Sequence, residues 1–258
     1  SAAGTFSEET VVPAISCVKI PDDVPFQIAA LIGCGVLTGF GAAVNTANIR
    51  EGDNVVVVGA GGVGNAITKI AAERDFFEAM VVSDYDVTRA ESAIEWVRER
   101  HGDEVAAKFI PAKIDASSAA NIVEVAKEHG ATHILNAVEP KFVPTVFSAA
   151  YTAGCHYVDM AMSLSEADAT DPFRTPGIKL GDAQYAVNDQ WEKSGKLALI
   201  GMGVEPGLSN VFAKYAAEHL FSEIDEIAVR DGANLVVHDE EGNEIFAPSF
   251  SIWTTIEE

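Results

Sequence analysis

Basic residues are scarce in this chain. Its 258 residues hold 17 Lys and Arg against 39 Asp and Glu, a formal net charge of −22. So acidic a surface repels phosphate backbones, which argues against nucleic acid as a partner. It suits a well-solvated protein or a salty habitat, and composition does not choose between them. Cysteine is scarce as well. Cys17, Cys34 and Cys155 are too few and too scattered for a disulfide framework, so the expected compartment is a reducing cytoplasm. No apolar stretch reaches membrane-span length without interruption; the longest, residues 26–44, is broken by Gly33, Gly35, Gly39 and Gly41, and no membrane role is expected. Internal repeats and low-complexity tracts are missing too. The chain opens on Ser1 instead of Met and stops at Glu258 in mid-pattern, which reads as a fragment at both ends, so the lack of a leader carries no weight.

Apolar residues are plentiful. They make up 48% of the chain, ample for a packed core in one large or two modest domains. The most informative stretch is residues 54–64, NVVVVGAGGVG, where four valines break into Gly59-x-Gly61-x-x-Gly64. An unbroken apolar run suits a parallel strand buried on both faces by helices. The glycines allow a tight turn, a close approach of backbone to a pyrophosphate, and packing of the next helix on the strand. An amphipathic segment, NAITKIAAER, follows. A second apolar run then ends at Ser83 and Asp84, twenty residues past Gly64, where a carboxylate can hold ribose hydroxyls. This context predicts a dinucleotide site with Gly59, Gly61, Gly62, Val63 and Gly64 at the pyrophosphate.

Strands are expected near 54–58, 79–83, 108–114, 132–138, 156–160 and 197–201. Helices are expected near 62–74, 87–101, 117–129, 141–153, 182–194 and 207–220. Asp86 and Ser117-Ser118 are candidate N-caps, and Gly102, Gly130 and Gly154 stand where glycines end helices. Such alternation predicts an α/β fold, a doubly wound parallel sheet of Rossmann type. Residues 1–50 stand outside the pattern: two short strands over 10–20 split at Pro13, then a helix over 26–37. After Ile224 the texture changes again. Strands at 227–229 and 235–237, with a polar turn into 244–246, predict an antiparallel hairpin that opens a second, α+β domain. The expected division is therefore an N-terminal remnant (1–50), a dinucleotide-binding domain (51–205) and an incomplete substrate domain (206–258).

Two resemblances meet at the glycine loop. Residues 5–64, including IPDDVPFQIAALIGCGVLTGFGAAVNTANIREGDNVVVVGAGGVG, resemble zinc-dependent medium-chain alcohol dehydrogenases. That resemblance implies Cys34 as a zinc ligand and Thr38 beside the nicotinamide. Residues from about 55 to 258 resemble the saccharopine dehydrogenase family, through VVVVGAGGVG, VVSDYD, ILNAVEP, AGCHYVDMA and GMGVEPGLSN in that order. The chain reads as a hybrid with its crossover in the shared loop, whether natural or not. The second resemblance implies NAD(P)-linked oxidation of a secondary amine in an amino-acid conjugate, or reduction of the imine. A zinc alcohol dehydrogenase and a catalytically incomplete dinucleotide-binding module are the alternatives.

Ligands of open parallel sheets sit beyond the carboxyl ends of the strands, which ranks the remaining candidates. Asp84 accepts from a 2′-hydroxyl and repels a 2′-phosphate, favouring NAD while leaving NADP open; Asp86 adds to that preference and Arg89 subtracts from it. The saccharopine dehydrogenase resemblance places the nicotinamide-side ribose at Asn136, Ala137 and Val138. Glu139, which Pro140 keeps out of helical geometry, is a catalytic candidate or a solvated loop acid. Asp159 ends the fifth strand and is the other catalytic candidate. Glu205, Pro206 and Gly207 precede a helix whose free N–H groups can bind a carboxylate, as the substrate side of an amino dicarboxylate site or as plain helix-start chemistry. His133 and His156 begin their strands and are expected at the opposite rim in structural roles, with Cys155 a small buried hydrophobe. No metal site is expected, because only Cys34 matches a zinc ligand and a catalytic zinc needs three. The expected partner is a small amino-acid-like molecule, with homo-oligomerisation left open.

Overall fold

A computed structural model describes residues 49–50, 52–175, 177–204, 206–228, 237–238 and 243–245. Within them the chain alternates strand and helix in the expected order. β1 (Asn54–Val58), β2 (Ala79–Asp84), β3 (Phe109–Lys113), β4 (His133–Asn136), β5 (His156–Asp159) and β6 (Ala198–Leu199) form one sheet. They pair in the order β3-β2-β1-β4-β5-β6, and every pairing is parallel. The order reverses between β1 and β4, which is the dinucleotide-binding Rossmann arrangement.

The valines of β1 explain the two-sided winding. Val55, Val56 and Val57 are all at 0% exposure, and successive side chains point to opposite faces. Val55 and Val57 pack with Ile67 and Ala71 of α1 (Gly62–Ala71) and Ile94 and Val97 of α2 (Val87–Ala106). Val56 and Val58 pack with Ile122 and Val125 of α3 (Ala119–Glu128) and Val146 and Phe147 of α4 (Val143–Ala153). Each such burial contributes about 1.5–3 kcal/mol, so a polar residue at any of these positions disrupts one whole layer.

Several boundaries differ from expectation for local reasons. The helix after β2 does not stop at Gly102; it kinks there, at φ 85° and ψ 170°, and runs on to Ala106. Asp86 caps its start, accepting from the Thr88 N–H at 3.1 Å. Ser118 caps α3, accepting from Asn121, while Gly154 ends α4 in the left-handed region at φ 72°. α4 is preceded by a 3-10 turn, Pro140–Phe142. The expected helix over 182–194 is two, α5 (Asp182–Tyr185) and α6 (Asn188–Ser194). β6 shrinks to two residues because it is the sheet edge, paired only to β5, and the chain beyond it turns back onto the end of β5.

α7 (Leu208–His219) follows. Of the expected hairpin, β7 (Val237–His238) and β8 (Glu244–Ile245) pair antiparallel. The strand expected at 227–229 is not formed at Ile227 and Ala228. The strands expected over 10–20, the helix over 26–37, and Cys17, Cys34, Thr38 and Glu205 lie outside the described residues.

Candidate dinucleotide site

The carboxyl ends of β1, β2, β4 and β5 and the turn after β6 converge on one edge. Gly59 has φ 102°, and a Cβ there would lie 2.7 Å from Val138 Cγ1 and 2.8 Å from the Ala137 carbonyl oxygen. A Cβ on Gly64 would lie only 1.8 Å from the Gly59 carbonyl oxygen. These two glycines are demanded by the protein itself, for the turn and for seating α1 on β1. Gly61 and Gly62 are different: a Cβ on either meets nothing within 4 Å. No side chain caps α1. The N–H groups of a helix's first turn have no partners within the helix, and the helix dipole favours an anion there. Open space in front of an uncapped helix start fits a pyrophosphate.

Asp84 ends β2 beside the glycine loop. Its Oδ2 accepts from the Ala60 N–H at 2.9 Å and its Oδ1 from the Asp86 N–H at 3.0 Å. The acid therefore braces the glycine loop, and each oxygen keeps a lone pair for a ribose hydroxyl. Lys113 stands beside Asp84 in register on β3, its ammonium 5.0 Å from the Tyr85 ring centroid.

On the β4–β6 side a buried polar network replaces open space. Asp159, 1% exposed, accepts from the Gly201 N–H at 2.6 Å through Oδ1. Its Oδ2 accepts from the Tyr157 hydroxyl at 2.9 Å and from Gln184 Nε2 at 2.8 Å. The Tyr157 hydroxyl in turn accepts from Asn136 Nδ2 at 2.9 Å, and Asn136 Oδ1 accepts from the Val138 N–H at 3.2 Å. Burial pushes the Asp159 carboxyl up to about 6, against the opposing pull of the Gly201, Gln184 and Tyr157 donors. Burial and the neighbouring Asp159 charge raise the Tyr157 hydroxyl well above its ordinary range.

Residues 55–199 match the family described as the saccharopine dehydrogenase NADP binding domain, more than half of the chain. The chain belongs to that family. Carboxynorspermidine synthase from Vibrio cholerae is 28% identical over 180 residues, covering 69% of this chain and 42% of that protein. Alcohol dehydrogenase B from Mycobacterium tuberculosis is 59% identical over 63 residues, 24% of this chain and 17% of that one. The chain thus spans less than half the length of either relative. Among solved structures, apo saccharopine dehydrogenase (L-Glu forming) from Saccharomyces cerevisiae aligns at a TM-score of 0.46 and 16% identity, over 66% of this chain and 31% of that one. Benzyl alcohol dehydrogenase from Acinetobacter calcoaceticus aligns at 0.44 and 17% identity, over 78% of this chain and 49% of that one. Both expected resemblances are thereby found, and NAD(P) is the cofactor of the saccharopine dehydrogenase domain carried here.

Within that domain the expected residues divide in two. Gly59, Gly61, Gly62, Val63, Gly64 and Asp84 surround one cradle. Asn136 ends β4 at the same edge, but its amide is spent on Tyr157 and Val138, and it is 2% exposed. Glu139 is exposed and extended, at φ −57° and ψ 150°, and ion-paired to Lys141 at 2.6 Å. Three of the helix-start donors expected to be free after residue 205 are taken. Leu208 and Ser209 N–H groups donate to the carbonyls of Gly203 and Val204, and the Gly207 N–H donates to Asn210 Oδ1. Among the described residues, the loop at Pro206 and Gly207 thus takes up three of the N–H groups at this helix start. At the far rim, His133 and His156 stack with ring centroids 4.7 Å apart, and Cys155 is fully buried with its thiol pushed up to about 11 by desolvation.

Tyr157 and Gln184 are the site-edge residues that sequence reading passed over. The Tyr-x-Asp spacing was a usable signal, since strand residues two apart share a face. Gln184 gives none, because only folding brings its helix to the end of β5.

Proposed function

We propose that this saccharopine dehydrogenase domain serves an oxidoreductase acting on the CH–NH bond of an amino-acid conjugate, or on the corresponding imine. The observation that carries the reading is the family match over residues 55–199, joined to the open, uncapped start of α1. The kinship with carboxynorspermidine synthase adds support, since its name denotes a carboxylated amine. When bound, the nicotinamide supplies or takes up hydride at the carbon that bears the nitrogen. The chain's own part is to bind and orient. The loop Gly59–Gly64 and the first turn of α1 hold the pyrophosphate, and Asp84 takes the ribose hydroxyls, favouring NAD over NADP. Of the two acidic candidates, Glu139 is the one with solvent access, suited to exchange a proton with the substrate nitrogen. Pro206 and Gly207 form the substrate-side wall by shape.

The test is NADH consumption by the intact chain offered a primary amine of an amino acid together with a carbonyl compound. Turnover that requires both partners supports the reading. Zinc-dependent oxidation of a primary alcohol, abolished in Cys34→Ala, would replace it with the alcohol dehydrogenase reading favoured by the 59% identity over 63 residues. Tight NADH binding with no turnover of either kind would leave a binding module.

A further inference from the structure

We propose that Asp159 is the positioning residue for the nicotinamide half of the site, tying the turn after β6 and helix α5 to the carboxyl end of β5. The inference rests on the dinucleotide reading above. In a sheet of this order the ligand lies across the reversal between β1 and β4, so one half faces β1–β3 and the other faces β4–β6. Asp159 ends the middle strand of that second half.

Its carboxylate gathers groups from distant parts of the chain. Gly201, 42 residues away, and Gln184, 25 residues away, both donate to it, and the Met202 N–H donates to its backbone carbonyl at 2.9 Å. The turn it holds is tightly built: Gly201 has φ 64°, and a Cβ there would lie 2.8 Å from Met162 Sδ. The same carboxylate sets the direction of every bond behind it. Because Asp159 can only accept, the Tyr157 hydroxyl must donate to it and accept from Asn136. The Asn136 amide is thereby oriented with its oxygen toward the Val138 N–H. Val138 is the side chain against which Gly59 closes. One buried charge thus fixes the ends of β4 and β5, the turn after β6 and the contact with the glycine loop.

A role in stability alone fits poorly. A buried carboxylate is costly without a cation, and none of the ion pairs among the described residues includes Asp159. Apolar residues of similar volume commonly do as well or better where packing is the only purpose. Asp159→Asn keeps the volume but turns an NH2 donor either onto the Gly201 N–H or onto Gln184 Nε2 and the Tyr157 hydroxyl, so the polarity of the network breaks.

The experiment compares NADH with ADP, which lacks both the nicotinamide and its ribose and needs only the β1–β3 half. In Asp159→Asn of the full chain, NADH affinity is expected to fall at least about tenfold, with ADP affinity held within about twofold. If that variant fails to fold, Gln184→Met, which removes one donor and leaves the carboxylate, is expected to shift the same ratio by about threefold. Equal losses for the two ligands, or no loss for either in a folded variant, overturn the inference and leave the dinucleotide reading standing. Failure of the unmodified chain to bind ADP overturns that reading, and this inference with it.

Discussion

Asp84 shows how one side chain serves two purposes at the residue scale. Its carboxylate braces the glycine loop through Ala60 and, on the proposed reading, faces the ribose 2′-substituent. Repulsion between that charge and a 2′-phosphate at a partly exposed site is on the order of 1–4 kcal/mol. NADH is therefore expected to bind several-fold more tightly than NADPH. Asp84→Ser should narrow the ratio while weakening both ligands, because the brace on Ala60 is lost with the charge. Fluorescence titration with the two cofactors measures this, and tighter NADPH binding by the unmodified protein would refute the assignment. The lysine in register on β3 and Arg89 work in the opposite sense, which is why the ratio is expected to be modest.

At the scale of the element, the β1–α1 unit separates glycines needed for folding from glycines needed for a ligand. Gly64→Ala drives a Cβ into the Gly59 carbonyl and should destabilise the domain by several kcal/mol, read as a lower midpoint in denaturant. A Cβ on Gly61 meets no protein atom within 4 Å, so Gly61→Val should fold with a near-normal midpoint and yet lose NADH binding. A folded Gly61→Val that binds NADH normally would show that the open space in front of α1 is not the pyrophosphate site. The pair also shows what was readable. Gly-x-Gly-x-x-Gly pointed to three special positions, but only the packing distances tell that two are filled by protein and one is left open.

For the whole molecule, the sharpest question is what the first fifty residues contribute. Among the described residues, the six-stranded sheet and the helices packed on both its faces lie within residues 52–204, and Ile49 packs into the core at 4% exposure. Removing residues 1–48, with the cut placed ahead of Ile49, should leave NADH binding within about a factor of ten, since the glycine loop and Asp84 are retained. A truncated chain that stays folded but no longer binds NADH would make the N-terminal segment part of the site, with Thr38 and Cys34 the next residues to replace. Among the described residues no helix is long and apolar enough to cross a membrane.

The fold and the adenosine half of the site were legible in the sequence because local patterns encode them. The valine run requires two covered faces, the glycine spacing requires a turn with close packing, and an acid twenty residues on falls at the end of the next strand. Strand existence followed from apolar runs, whereas strand ends did not: β6 stops after two residues because its turn is drawn back to Asp159. The nicotinamide half was not legible for the same reason. Whether Asp159 is an exposed acid or a buried hub depends on Gln184 and Gly201, which are distant in sequence and meet it only in the folded sheet. The alternation, the parallel pairing and the glycine turn into α1 follow from the sequence, since those rest on periodicity and backbone sterics. Tertiary structure alone decided which carboxylate is open to solvent, which glycine leaves room for a ligand, and where the helix-start donors after Gly207 are spent, because each depends on contacts between segments that no local pattern records.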